Sequence, residues 1–82
     1  MRLVYTHQAF KKLNKIGASD LPKVKKKLVN LSNGILVGKD LKGEFSGIKS
    51  VRAWPLRIMY RLDTNHRIVI LDIDYRGNVY KK

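Results

Sequence analysis

Apolar and polar positions change period once along this chain, and that change divides it into a helical first half and a stranded second half. Leu3-Val4-Tyr5 is a short β-branched and aromatic run that reads as a strand. Thr6 follows as a good N-cap, and apolar Ala9, Phe10, Leu13 and Ile16 then recur at helical spacing. Gly17 stops that helix. Ser19 or Asp20 is suited to cap the next one, with Pro22 tolerated in its first turn. In the second helix Leu21, Val24, Leu28 and Leu31 share one stripe, and Asn33-Gly34 ends it. Gly38 to Gly47 reads as a connector. Strands are expected near Ile48 to Arg52, from Leu56 to Asp63 and from Arg67 to Tyr75, with turns at Ala53-Trp54-Pro55 and Thr64-Asn65-His66. The expected order is β-α-α-β-β-β: an α+β fold with an N-terminal strand, a helical hairpin and a three-stranded antiparallel meander, forming one sheet with the helices on one face.

Strand side chains alternate, so parity decides which residues meet. In Leu56 to Asp63, the even residues Leu56, Ile58, Tyr60 and Leu62 form an apolar row for the helices to cover, leaving Arg57, Met59, Arg61 and Asp63 on the open side. In Arg67 to Tyr75, Val69, Leu71 and Ile73 form the apolar row, and Ile70, Asp72, Asp74 and then Arg76 face the other way. With Val51 turned to the helices, Ile48, Ser50 and Arg52 lie on the open side and Lys49 at the margin of the covered side. Arg52, Arg57, Arg61 and Arg76 are therefore expected to converge on one uncovered face.

Composition narrows the partners. The 82 residues, 44% hydrophobic and 29% charged, suit one folded domain over residues 1–82. Against 6 Asp plus Glu stand 18 Lys plus Arg, for a net +12 and a sequence pI near 10.3, so a polyanion or an acidic protein is the expected partner. Up to Gly38 there are eight Lys or Arg and one Asp, giving +7; from Lys39 on there are ten basic and five acidic residues, giving +5. The absence of Cys excludes disulfides, zinc ribbons and thiol catalysis. No apolar run reaches the roughly 20 residues of a membrane span, and Met1-Arg2-Leu3 leads directly into a strand pattern, so neither membrane attachment nor a signal peptide is expected and the cytoplasm is the expected location.

Positioned arginines hold phosphate oxygens two at a time and stay charged, which suits them to phosphoryl chemistry; they equally pair with Asp63, Asp72 and Asp74 across strands. Parity alone leaves both open. Lys25, Lys26 and Lys27, extended by Lys11, Lys12 and Lys15, read either as a solvated helix face or as an RNA-contacting surface. His7 and His66 are expected at the surface. Asp72-x-Asp74 is a poor case for a metal-dependent nuclease, because neighbouring arginines compete for the carboxylates. Trp54 beside Pro55 is expected to cover a sheet edge, with base stacking as the alternative.

Leu41-Lys42-Gly43, Val51-Arg52, Leu56-Arg57-Ile58-Met59-Tyr60, Ile70-Leu71-Asp72-Ile73-Asp74-Tyr75-Arg76 and Val79-Tyr80, in this order and spacing, resemble the RelE/ParE toxin superfamily. The resemblance implies the toxin of a type II toxin-antitoxin pair, neutralised by an acidic cognate antitoxin and needing no metal or small-molecule cofactor. RelE-type members act with the ribosome on mRNA, directing the ribose 2′-OH against the neighbouring phosphate; ParE-type members inhibit DNA gyrase. Matched residue by residue, Arg57 is the arginine that contacts the scissile phosphate, Arg76 the one assigned to transition-state charge, and Tyr80 the C-terminal tyrosine that stacks on or activates the nucleotide. Arg52 matches a further basic residue. With Lys49, Arg61, Lys25, Lys26, Lys27, Lys81 and Lys82 it makes up the expected RNA-binding set. Lysines of the RelE pattern fall at Ile48 and Ser50, and only a one-residue bulge brings Lys49 onto the open face. Tyr75 stands where many members have histidine. A ParE-like inhibitor and a non-catalytic nucleic-acid-binding domain therefore stand as the alternative functions.

Overall fold

The computed structural model describes residues 1–75. They form strand β1 (Leu3–Tyr5), helices α1 (His7–Lys15) and α2 (Leu21–Ser32), a two-residue strand β2 (Lys39–Asp40), a short 3-10 turn (Gly43–Phe45), and strands β3 (Lys49–Ala53), β4 (Leu56–Leu62) and β5 (Ile68–Tyr75). The strands make one sheet in the order β1-β5-β4-β3-β2. The meander β2 to β5 is antiparallel, and β1 lies parallel to β5, pairing Leu3 to Tyr5 with Ile68 to Ile70. The α+β architecture with both helices on one face is as the sequence predicts. The connector, however, contributes a strand of its own, β2.

Local chemistry sets the helix ends. The Thr6 hydroxyl accepts a hydrogen bond from the Ala9 N–H at 3.1 Å and donates to the Leu71 carbonyl at 3.1 Å, so one residue caps α1 and ties it to β5. Asp20 occupies the cap position of α2 without bonding its N–H groups; its carboxylate lies 3.8 Å from Lys23 Nζ. Gly34, with φ 73°, takes the left-handed position that ends α2, and the Gly34 and Ile35 N–H groups bond back to Leu31 and Asn30.

Ala9 of α1 and Val24, Leu28 and Leu31 of α2 pack against Val51, Ala53, Leu56, Ile58, Tyr60, Ile68, Ile70 and Ile73. Each large apolar side chain buried here contributes about 1.5–3 kcal/mol. Phe10, expected in this core, is 54% exposed, because the buried stripe of α1 runs Ala9, Leu13, Ile16 and Phe10 is turned about 100° away. The expected parity of β5 also fails in its first half. The pairing steps from Met59↔Asp72 to Tyr60↔Ile70, leaving Leu71 as a bulge. The extra residue inverts the alternation, so Ile68, Ile70 and Ile73 all reach the core, and Val69 and Leu71 do not join it. No helix among the described residues is long and apolar enough to cross a membrane.

Candidate functional site

The sheet face away from the helices carries the arginines. β3 and β4 pair without a shift, so Arg52 stands directly opposite Arg57, and Ser50 opposite Met59. Next along the same face, Arg57 pairs with Asp74 and Met59 with Asp72 on β5. Ser50 and Met59 are each 4% exposed and form the floor of this face. The Arg57 guanidinium donates to the Ser50 hydroxyl at 3.3 Å, which draws the side chain along β3 rather than into solvent. Two guanidinium groups directly opposite each other are mutually unfavourable; no Asp or Glu occurs from Lys49 to Leu62, and the carboxylate beside the pair is that of Asp74 on β5.

The aspartates of β5 and of the β4–β5 turn also bond cations from elsewhere in the chain. Lys12 of α1 reaches across the edge of β5, beyond the end of β1, to Asp74 Oδ2 at 2.5 Å and Asp72 Oδ1 at 3.5 Å. The hydrogen bond to Asp74 raises the Lys12 ammonium above its ordinary pKa. Asp63 bonds the Arg67 side chain at 2.7 Å and accepts the Asn65 and Arg67 backbone N–H groups. Those bonds, the Arg67 N–H foremost, hold its carboxyl below the usual carboxylate range. Burial pushes the Tyr5 phenol up.

The candidate residues therefore fall into separate groups. Arg52 and Arg57 are neighbours on the open face. Arg61 shares that face, but lies four residues farther along β4 than Arg57, about 13 Å at strand rise, opposite Val69. Arg52 and Arg61 are exposed and make no ion pair among the described residues. Lys49 pairs with Tyr60, which places it on the helix side. Its ammonium bonds Asp40 at 2.6 Å, which raises its pKa, and no bulge carries it to the open face. Lys25, Lys26 and Lys27 belong to the helical layer on the other side of the sheet, and His7 and His66 are exposed as expected. Arg76, Tyr80, Lys81 and Lys82 lie outside the described residues.

Two features escaped the sequence reading. A groove of about 460 Å³ runs along α1, lined by His7, Gln8, Lys11, Lys12 and Lys15, and the spacing of those residues was the available signal. The role of Ser50 as a hydrogen-bond partner of Arg57 depends on how the Arg57 side chain lies along β3, which strand alternation does not announce.

The family model for the ParE toxin of the type II toxin-antitoxin system parDE matches residues 3–80. Toxin RelG of Mycobacterium tuberculosis (strain ATCC 25618 / H37Rv) is 40% identical over 47 residues, 56% of this chain and 54% of that protein, so the matched stretch spans about half the length of this curated relative. A chain of the toxin-antitoxin complex RelBE2 from Mycobacterium tuberculosis is 33% identical with a TM-score of 0.69, covering 92% of this chain and 96% of that one. YafQ from E. coli strain BL21(DE3) has the same fold, with a TM-score of 0.81 at 19% identity over 99% of this chain and 100% of that one.

Proposed function

The chain belongs to the ParE toxin family of type II toxin-antitoxin systems, within the RelE/ParE superfamily, and from that premise we propose that it is a ribosome-dependent endoribonuclease that cleaves mRNA. The observation that carries this reading is the Arg52–Arg57 pair on the open face, with Arg57 bonded to Ser50 and Arg52 exposed beside it. In the proposed reaction the ribose 2′-oxygen attacks the adjacent phosphorus in line with the 5′-oxygen, which departs. The products are a 2′,3′-cyclic phosphate and a 5′-hydroxyl. Arg57, with Arg52 beside it, binds the non-bridging phosphate oxygens and offsets the charge that accumulates on them. Arg76 supplies further charge, and Tyr80 stacks on or activates the nucleotide. Cleavage needs no metal in this scheme. The ribosome aligns the mRNA and completes a site that so small a sheet does not enclose. The protein acts in the cytoplasm, and an acidic antitoxin neutralises it by covering the basic surface.

One observation favours a second reading, a ParE-like gyrase inhibitor without nuclease activity. With β3 in regular register, Ile48 and Ser50 occupy the positions of the RelE lysines and Lys49 is held by Asp40 on the helix side. Primer-extension mapping of mRNA during translation separates the two. Codon-position cuts that fall about a hundredfold or more in rate in Arg57→Ala and Arg76→Ala support the nuclease. Intact mRNA with arrested replication supports gyrase inhibition.

A further inference from the structure

Trp54, the one tryptophan of the chain, sits in the turn joining β3 and β4 and is 63% exposed. The hairpin beneath it is well held: Ala53 pairs with Leu56, and each is 2% exposed. Most of the indole is left in water, where its flat apolar face is open to a partner. The next cross-strand pair down the hairpin is Arg52↔Arg57. Arg52 and Trp54 are two residues apart, roughly 6–7 Å at strand rise. The exposed indole and the exposed Arg52 are thus near neighbours at one end of the sheet, with Arg57, bonded to Ser50, on the adjoining strand. An acidic peptide engages positive charge and leaves the flat indole unused, whereas a nucleotide presents a phosphate and a π-face together.

We propose that Trp54 is a stacking platform for an unpaired base of single-stranded RNA whose neighbouring phosphate is held by Arg52 and Arg57. The inference rests on the reading that this face receives RNA. It adds a base contact that tolerates sequence variation, because every base has a π-face, and it requires single-stranded RNA, because a paired and stacked base is not available to the indole.

Because no second tryptophan contributes, fluorescence reports the contact directly. The full chain is titrated with a short 2′-O-methyl oligoribonucleotide, which binds without being cleaved. Saturable quenching is expected with this oligomer, and none with inorganic pyrophosphate or with an abasic oligomer of equal length. Binding of the labelled oligomer, read by anisotropy, is expected to weaken roughly tenfold to a hundredfold in Trp54→Ala and to survive largely in Trp54→Phe, while pyrophosphate affinity stays within about twofold of the parent. No saturable quenching, equal quenching by pyrophosphate, or parental affinity in Trp54→Ala overturns the inference. So does quenching by an acidic peptide in place of RNA, which would make Trp54 a protein-binding residue. If the nuclease reading alone fails, mRNA stays intact and these titrations are unchanged. If this inference alone fails, Arg57-dependent cleavage persists without quenching.

Discussion

Gly38→Ala is the single substitution with the clearest cost. A Cβ at this position would lie 2.7 Å from Tyr60 Cε1, 2.8 Å from Tyr60 Oη and 2.9 Å from the Ser50 carbonyl oxygen. None of the three yields easily. Tyr60 is 2% exposed within the core, and the Ser50 carbonyl belongs to a strand paired on both sides. Relief requires the Gly38 backbone to move outward by roughly 0.5–1 Å, the shortfall from ordinary contact distance. That motion stretches the 2.7 Å bond from the Gly38 N–H to Tyr60 Oη. Overpacking costs about 1–3 kcal/mol and the weakened hydrogen bond about 1 kcal/mol, together about 2–4 kcal/mol. For a domain this small, the thermal midpoint should fall by about 10–30 °C, measured by circular dichroism. The same displacement pulls on the adjoining β2, whose Lys39 pairs with Ser50, the residue whose hydroxyl bonds Arg57, so mRNA cleavage should fall even at temperatures where the variant stays folded. Tyr60→Phe removes the oxygen contact but leaves the ring carbon and the carbonyl, so the two substitutions combined should cost less than their sum. A midpoint for Gly38→Ala within about 2 °C of the parent would refute the steric argument.

Thr6→Ala removes both the α1 cap and the bond to the Leu71 carbonyl, and should cost about 1–2 kcal/mol, or roughly 5–15 °C in thermal midpoint. Ser50→Ala takes away the hydroxyl that Arg57 bonds; cleavage in a translation assay should fall about threefold to tenfold with the thermal midpoint nearly unchanged. The Asp63 carboxyl is held below its ordinary value of 3.8, so its contribution to stability is complete above about pH 4 and lost as the pH falls through the lowered value. The gap in urea midpoint between the parent and Asp63→Asn should accordingly be largest at neutral pH and close in acid; a gap independent of pH would count against the ionised carboxylate.

Much of this fold is legible locally. Thr6 as a cap, the Ala9-Leu13-Ile16 and Val24-Leu28-Leu31 stripes, Gly34 at the end of α2 and the alternation of β4 each depend on neighbours within a few residues, so period and cap chemistry suffice to read them. The adjacency of Arg52 and Arg57 was also readable, because a tight hairpin at Trp54-Pro55 sets the register of its own strands. The overlooked β2 is two residues long and directly follows Gly38, too short for any period to show.

By itself, then, the sequence determined the order of the two helices and the four longer strands, the buried face of α2 and the placement of Arg52 and Arg57 on one sheet face, since all of these follow from short-range periodicity and one tight turn. Only the tertiary structure decided which cations the aspartates hold and which face β5 presents. The Leu71 bulge inverts a parity that no local pattern announces. The reach of Lys12 to Asp72 and Asp74 spans sixty or more residues of chain. Lys49 is given to Asp40 by the β2–β3 pairing, and Trp54 at the hairpin tip is left 63% exposed. Each of these depends on pairing between segments distant in sequence, whose register is set by the assembled core.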